Sequence, residues 1–223
     1  MITLHHLENS RSIRIIWVLE ELGVKYDLKT YKRLPSGLAP PELKQVDKLG
    51  HAPILEDEVD GKPVKIAESA AIIEHLVHKY GQGKYTSPHD TFWKHYIEGS
   101  LMSFCVFKLV LSISIEKVPA LLRPVLALVP RMILSQWVEP NLNSAISVVE
   151  EQLKDNQGWM VDGDEHGNPT ISDFMLAFTV DVLVYGGRAD SIGPGLTAYG
   201  KRLQEHESYK RAIEKAGDYR YKK

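Results

Sequence analysis

The residues with chemical potential in this chain fall in three short stretches. One is a polar patch, Glu8-Asn9-Ser10-Arg11-Ser12, set just before an apolar run that begins at Ile13. Another is Gly50-His51-Ala52-Pro53-Ile54-Leu55, where a proline precedes an apolar pair that reads as a strand start. Proline has no N–H to give, so it suits the first residue of a strand or an edge. The third is Glu68-Ser69-Ala70-Ala71-Ile72-Ile73, which opens a helix. A helix start presents N–H groups without intrahelical acceptors, and a serine beside them makes a natural site for a carboxylate. Between the last two stretches, Asp60-Gly61 separates two apolar-bearing runs, a strong hairpin signal. A hairpin there brings the pre-proline edge and the anion-ready helix start together. The same residues also suit an ordinary hairpin followed by a capped helix.

The elements that must position these residues follow from periodicity. Ile2 to His6 alternates as a short strand. Ile15, Val18, Leu19 and Leu22 recur at helical spacing, with Ile13, Ile16 and Trp17 widening the stripe, so this helix packs on two sides. Gly23 sits where a C′ glycine stops it, and Asn9, Ser10 or Ser12 can cap its start. Tyr26 to Tyr31 reads as a second strand and Pro41 to Val46 as a short helix. The hairpin and a helix from Ser69 to about Tyr80 complete a β-α-β-α-β-β-α order, which is buried comfortably only as a sheet with helices packed on it. After Gly81-Gln82-Gly83 and Ser87-Pro88 the character changes. Helical stretches follow over Thr91 to Ser114, Met132 to Leu153, Thr170 to Val184, Leu196 to Glu207 and Tyr209 to Ala216. Thr170-Ile171-Ser172-Asp173 carries a capping box. The expected division is an α/β unit over 1–81, a linker over 82–90 and an all-α helical bundle over 91–223.

Composition narrows the class. With 43% hydrophobic and 25% charged residues in 223, the chain is of the soluble globular type. A formal charge of −2 gives no electrostatic case for nucleic acid. The basic end Tyr219-Arg220-Tyr221-Lys222-Lys223 reads as a solvated tail. One cysteine, Cys105, leaves no internal disulfide, CxxC pair or zinc knuckle and reads as a small buried hydrophobe. No metal site is expected. The apolar region Val118–Val138 is broken by Pro119, Arg123, Pro124, Pro130 and Arg131, so no integral membrane segment is expected there. Nor does the N-terminus read as a signal peptide. A cytoplasmic location is expected.

In this order and spacing, the loop-helix Asn9 to Gly23, the pre-proline strand Gly50 to Leu55, the helix start Glu68 to Ile72 and the Thr170–Asp173 box resemble the cytosolic glutathione transferases. The match covers essentially the whole chain. Tyr31-Lys32-Arg33, Ala39-Pro40-Pro41-Glu42-Leu43 and Ile97-Glu98-Gly99-Ser100-Leu101 look most like the fungal enzymes similar to the yeast type I transferase and their bacterial relatives. The resemblance implies a thioredoxin-like first domain, glutathione as co-substrate and a homodimer. It implies that Pro53 is the cis-proline, fixing Ala52 so that its backbone pairs with the cysteinyl backbone of glutathione. Ser69 and Glu68 would hold the γ-glutamyl end, and His51 the glycyl carboxylate through a partly charged, pH-dependent contact. Members of this fold favour the thiolate of glutathione with a Tyr, Ser or Cys near the end of the first strand. Ser10 matches the serine of the serine-type classes, with Ser12, Asn9 and Arg11 as alternatives. A hydroxyl at a helix N-terminus stabilises a thiolate without ionising. His5 and His6 read as structural, and Arg14 as a helix-surface or interdomain pairing residue.

The resemblance further implies a small hydrophobic electrophile as second substrate, with Leu7, Tyr96, Phe104 and Phe107 as candidate walls, and peroxidase activity towards organic hydroperoxides as a companion. The alternative is a non-enzymatic member of the fold, an interaction module or hydrophobic-ligand carrier. A thiol-disulfide oxidoreductase needs a cysteine in the first loop, where none stands.

Overall fold

A computed structural model describes residues 1–154, 158–161, 163–187, 189 and 192–222. Strands β1 (Ile2–Leu7), β2 (Tyr26–Tyr31), β3 (Ile54–Val59) and β4 (Lys62–Ala67) form one sheet in the order β2-β1-β3-β4. β1 and β2 are parallel, as their connection through helix α1 (Ile13–Leu22) requires, and the other pairs are antiparallel. β3 and β4 meet at Asp60-Gly61, both with positive φ (52° and 74°), the conformation that a tight hairpin turn demands. Pro63 lies on β4, the edge strand, where its missing N–H costs nothing. A single helical turn, α2 (Leu43–Val46), precedes β3, and α3 (Ser69–Tyr80) leaves β4.

The remainder is helical. One continuous run holds α4 (Asp90–Tyr96), a π-type turn over Ile97–Leu101 and α5 (Met102–Lys117). Short helices α6 (Arg123–Leu126) and α7 (Leu128–Ile133) lead through a second π-type turn, Leu134–Val138, into α8 (Glu139–Lys154). Then come α9 (Ile171–Val180), a third π-type turn at Asp181–Tyr185, α10 (Pro194–Glu205) and α11 (Glu207–Ala216). The run Asp90–Lys117 is long and apolar enough to cross a membrane by length and composition. Its first half is instead part of the core: Trp93, Ile97, Leu101, Met102 and Cys105 are buried.

α1 is the hinge of the packing. It lies against α3 on one side and against α9 and α11 on the other, which is why its apolar stripe is wide. Trp17, fully enclosed, meets Phe174 and Tyr209 edge-on at 4.7 and 5.2 Å and donates its indole N–H to Ser208 Oγ at 2.8 Å. Arg14 is equally buried and reaches Glu98 Oε2 at 2.8 Å and Thr179 Oγ1 at 3.1 Å. It is therefore a pairing residue between the two regions and not a surface one. The start of α9 is tied twice. Asp173 accepts from its own cap N–H, Thr170 N, at 2.8 Å, as the capping box requires. Asp90 accepts from Thr170 Oγ1, Ser172 N and Ser172 Oγ at 2.8, 2.9 and 2.6 Å. The C-terminal segment departs from expectation. Tyr219 is buried and donates to Asp181 Oδ2 at 2.6 Å, so the described part of this segment is anchored and is no solvated tail, while Lys223 lies outside the described residues.

Candidate functional site at one edge of the sheet

Four backbone segments meet at one edge of the sheet. β1 ends there, β3 begins, β4 ends and α3 departs. The ladder pairs His5 with Ile54 and Ile54 with Ala67, so the loop after Leu7, the Ala52-Pro53 step and the Glu68-Ser69 step emerge side by side. The Ala52-Pro53 peptide bond is cis. Pro53 is buried, Ala52 half-buried and His51 exposed. Ala52 lies beyond the last ladder pair, at the rim of the sheet. Opposite it, Glu68 has φ 73° and ψ 122°, a conformation that costs a non-glycine residue about 1–3 kcal/mol and gathers at functional sites. Ser69 is buried at the first helical position, and neither a side-chain cap nor an acidic residue of the first turn occupies that helix end.

The loop after β1 carries a chain of hydroxyls. Ser10 Oγ donates to the Leu7 carbonyl at 2.7 Å and lies 2.7 Å from Ser12 Oγ, which is 2.6 Å from His6 Nδ1. Burial pushes the His6 imidazole down to about 4, so it is neutral at pH 7. With the Ser10 proton on Leu7 O, the Ser12 hydroxyl has three partners in reach, Ser10 Oγ, His6 Nδ1 and Leu7 O at 3.3 Å. His6 Nε2 is left buried without a partner. Ser12 holds helical backbone angles and makes no side-chain cap, so its hydroxyl is spent on this chain and not on the start of α1. Hydroxyls linked in this way polarise one another, and the terminal one becomes the better donor.

The neighbours of Ser10 are differently committed. Ser12 is fully enclosed. Asn9, at φ 49°, accepts at Oδ1 from Arg220 N at 2.7 Å. Arg11 is paired with Glu98, which also holds Arg14. Burial works to raise the Glu98 carboxyl, but Arg14 and Arg11 outweigh it and hold it below the usual carboxylate range. Arg33 fixes the loop from outside, giving its backbone N–H to Glu8 Oε1 at 2.8 Å and its Nε–H to Glu8 O at 3.2 Å.

The four candidate walls have different immediate neighbours. Leu7 is buried at the end of β1. Tyr96 stacks on Phe92 at 5.6 Å and donates its hydroxyl to Ala145 O at 3.2 Å, inside the helical packing. Phe104 and Phe107 both meet Trp137 edge-on at 5.5 Å, which makes Trp137 a member of that cluster that sequence reasoning passed over. His5 and His6 were both read as structural: His5 Nδ1 lies 2.9 Å from Tyr31 OH, and the link of His6 to Ser12 carries no sequence signal until the loop folds back. Among the described residues, no group of three or more His, Cys, Asp or Glu is placed to hold a metal ion.

Comparison with known proteins identifies the family. The family model "Glutathione S-transferase, N-terminal domain" matches residues 1–78. Glutathione S-transferase 3 of Schizosaccharomyces pombe is 39% identical over 164 residues, 70% of this chain. The match spans 66% of that protein, slightly under two thirds of its length. Glutathione S-transferase 1 of Saccharomyces cerevisiae is 27% identical over 226 residues, covering 97% of this chain and 95% of that one. A solved glutathione S-transferase from Actinobacillus pleuropneumoniae is 30% identical, with a TM-score of 0.72 over 97% of this chain and 93% of its own. The chain belongs to the glutathione S-transferase family.

Proposed function

We propose that this protein is a glutathione transferase that conjugates the thiol of glutathione to small hydrophobic electrophiles and also reduces organic hydroperoxides, acting in the cytoplasm as a two-fold dimer. The observation that carries the reading is the convergence of three different recognition devices on one sheet edge: the Ala52 backbone step, the open α3 N-terminus with Ser69, and the Ser10 hydroxyl. Ala52 pairs with the cysteinyl backbone. Ser69, the α3 N–H groups and Glu68 take the γ-glutamyl end, where a carboxylate gains from both hydrogen bonds and the helix dipole. His51, exposed on the same edge, takes the glycyl carboxylate.

Ser10 then donates to the sulfur. A thiol of pKa about 8.5 is only a few per cent thiolate at neutral pH, so even a modest preference for the charged form raises the reactive fraction several-fold. Ser12 and His6 act behind Ser10 as positioning residues. The wall for the electrophile is drawn from Leu7, Tyr96, Phe104 and Phe107. The same reading divides the chain into a glutathione-binding unit over 1–81, a linker over 82–90 and a helical unit over 91–223. Calorimetric titration with glutathione, followed by turnover with a panel of electrophiles and hydroperoxides, tests it. Saturable binding with turnover is expected. Binding without turnover would mark a non-enzymatic member of the fold, and neither would end the reading.

A further inference from the structure

The segment linking α5 to α8 presents an apolar outer surface. Its inward contacts are complete: Ala127, Leu134 and Val138 are buried against the bundle. The rest of such a segment ordinarily turns polar. Here Leu121, Val125 and Leu128 are 90%, 74% and 65% exposed, with Leu122, Leu126 and Val129 also exposed, and the surface continues to Trp137. A contiguous apolar surface of this kind on a soluble chain marks an interaction site.

Charge selects the occupant. From Lys117 to Val138 there are three cations, Lys117, Arg123 and Arg131, and no acidic residue, in a chain whose net charge is −2. Lys117 and Arg131 are exposed. The Arg123 guanidinium bonds only carbonyls, Glu116 O at 3.1 Å and Val118 O at 3.2 Å, and none of the three is ion-paired among the described residues. Two copies meeting across a two-fold axis on this surface would face cations with cations. An anionic lipid surface supplies the opposite sign and accepts the leucines, while a tryptophan suits the headgroup boundary. The helices here are α6, of four residues, and α7, of six, separated by Ala127 and carrying Pro124 and Pro130, far short of the roughly 20 residues a span needs. Helices this short suit the surface of a bilayer and not its crossing.

We propose that Lys117–Val138 docks the protein peripherally on anionic membranes. The inference is independent of the catalytic reading. Its test is flotation of the full chain with vesicles of phosphatidylcholine alone or mixed with phosphatidylserine, at low and physiological salt. Preferential binding to the anionic vesicles, weakened by salt, is expected. Lys117→Gln with Arg131→Gln lowers the partition coefficient about fivefold per cation. Leu121→Ser with Val125→Ser lowers it at least about tenfold. Glutathione binding and circular dichroism of both double variants should match the parent. If the apolar pair disturbs the fold, the charge pair and the parent's lipid preference still decide. No binding to anionic vesicles, or equal binding to neutral ones, overturns the proposal. So does sedimentation in which the apolar double variant falls to a smaller oligomer than the parent, since a second copy would then cover this surface.

Discussion

Replacing Ser10 by alanine isolates the proposed thiolate contact, and the structure sets its size. A hydrogen bond to a charged group contributes about 1.5–3 kcal/mol net. The Ser10 proton is already engaged, however, on the Leu7 carbonyl at 2.7 Å. Turning it to the sulfur gives up a neutral hydrogen bond of about 1 kcal/mol. What remains is about 0.5–2 kcal/mol, or about 0.4–1.5 units of thiol pKa at 1.36 kcal/mol per unit. Ser10→Ala should therefore raise the pKa of bound glutathione by that amount and slow turnover at pH 7 about two- to thirtyfold. Ultraviolet titration of the thiolate in the enzyme–glutathione complex reads the first, and the pH profile of kcat the second. The affinity for glutathione should barely move if, as proposed, Ala52, Ser69 and the start of α3 hold the rest of the tripeptide. Ser12→Ala should show a smaller version of the same shift, since it removes only the hydroxyl that polarises Ser10. An unchanged thiol pKa in Ser10→Ala would refute the assignment while leaving the family untouched.

Two further expectations concern the frame around the site. Glu98→Gln strips the partner from the buried Arg14 guanidinium and should cost about 3–5 kcal/mol in denaturant unfolding. Arg14→Met in the same background should recover part of it, and a loss below about 1 kcal/mol would show that Arg14 finds compensation elsewhere. Carboxylates of opposite character should separate with pH. Burial favours the neutral form of Asp57, but hydrogen bonds from His75, Lys79, the Glu58 N–H and Tyr80 prevail and hold it at about 2. Its folded value lies below the unfolded one, so its stabilisation of about 2 kcal/mol is present above pH 4 and lost as pH falls through about 2. Asp181 is pushed up to about 6 by burial, against bonds from Tyr209, Tyr219 and Gln204. Its contribution is present below about pH 4 and lost as pH rises through about 6. Thermal unfolding of Asp57→Asn between about pH 2 and 4 and of Asp181→Asn between about pH 4 and 6 should each lose the corresponding slope.

Most of the frame was legible because local rules suffice for it. Asp60-Gly61 can make only a tight turn, the stripe from Ile13 to Leu22 can only be a helix buried on two sides, and Thr170 with Asp173 marks a helix start wherever it lies. The juxtaposition of Ala52-Pro53 with Glu68-Ser69 was legible too, since the two are neighbours across a hairpin. Two things were not. The link of His6 to Ser12 and Ser10 depends on how the loop after β1 folds back, which no spacing encodes. Apolar periodicity also says that a face wants covering without saying what covers it. Val106, Phe107 and Val110 share the helical pattern of Ile97 and Leu101, yet the first three are exposed and the last two enclosed. The terminal tyrosines failed for the converse reason: the basic residues around Tyr219 hid an anchor whose partner, Asp181, lies 38 positions away.

The packing of α1 also orders events during synthesis. Its inner face meets α3 as soon as the first third of the chain exists, but Trp17 waits for Phe174, Ser208 and Tyr209, and Arg14 for Glu98 and Thr179. Asp90 likewise awaits residues 170 and 172. A sheet and helices formed before the rest of the chain would leave an indole and a guanidinium without their partners until the last helix emerges. Fragments that stop short of α11 would leave that surface open. They would be recognised by chaperones and proteases as unfinished, however well their sheet had formed.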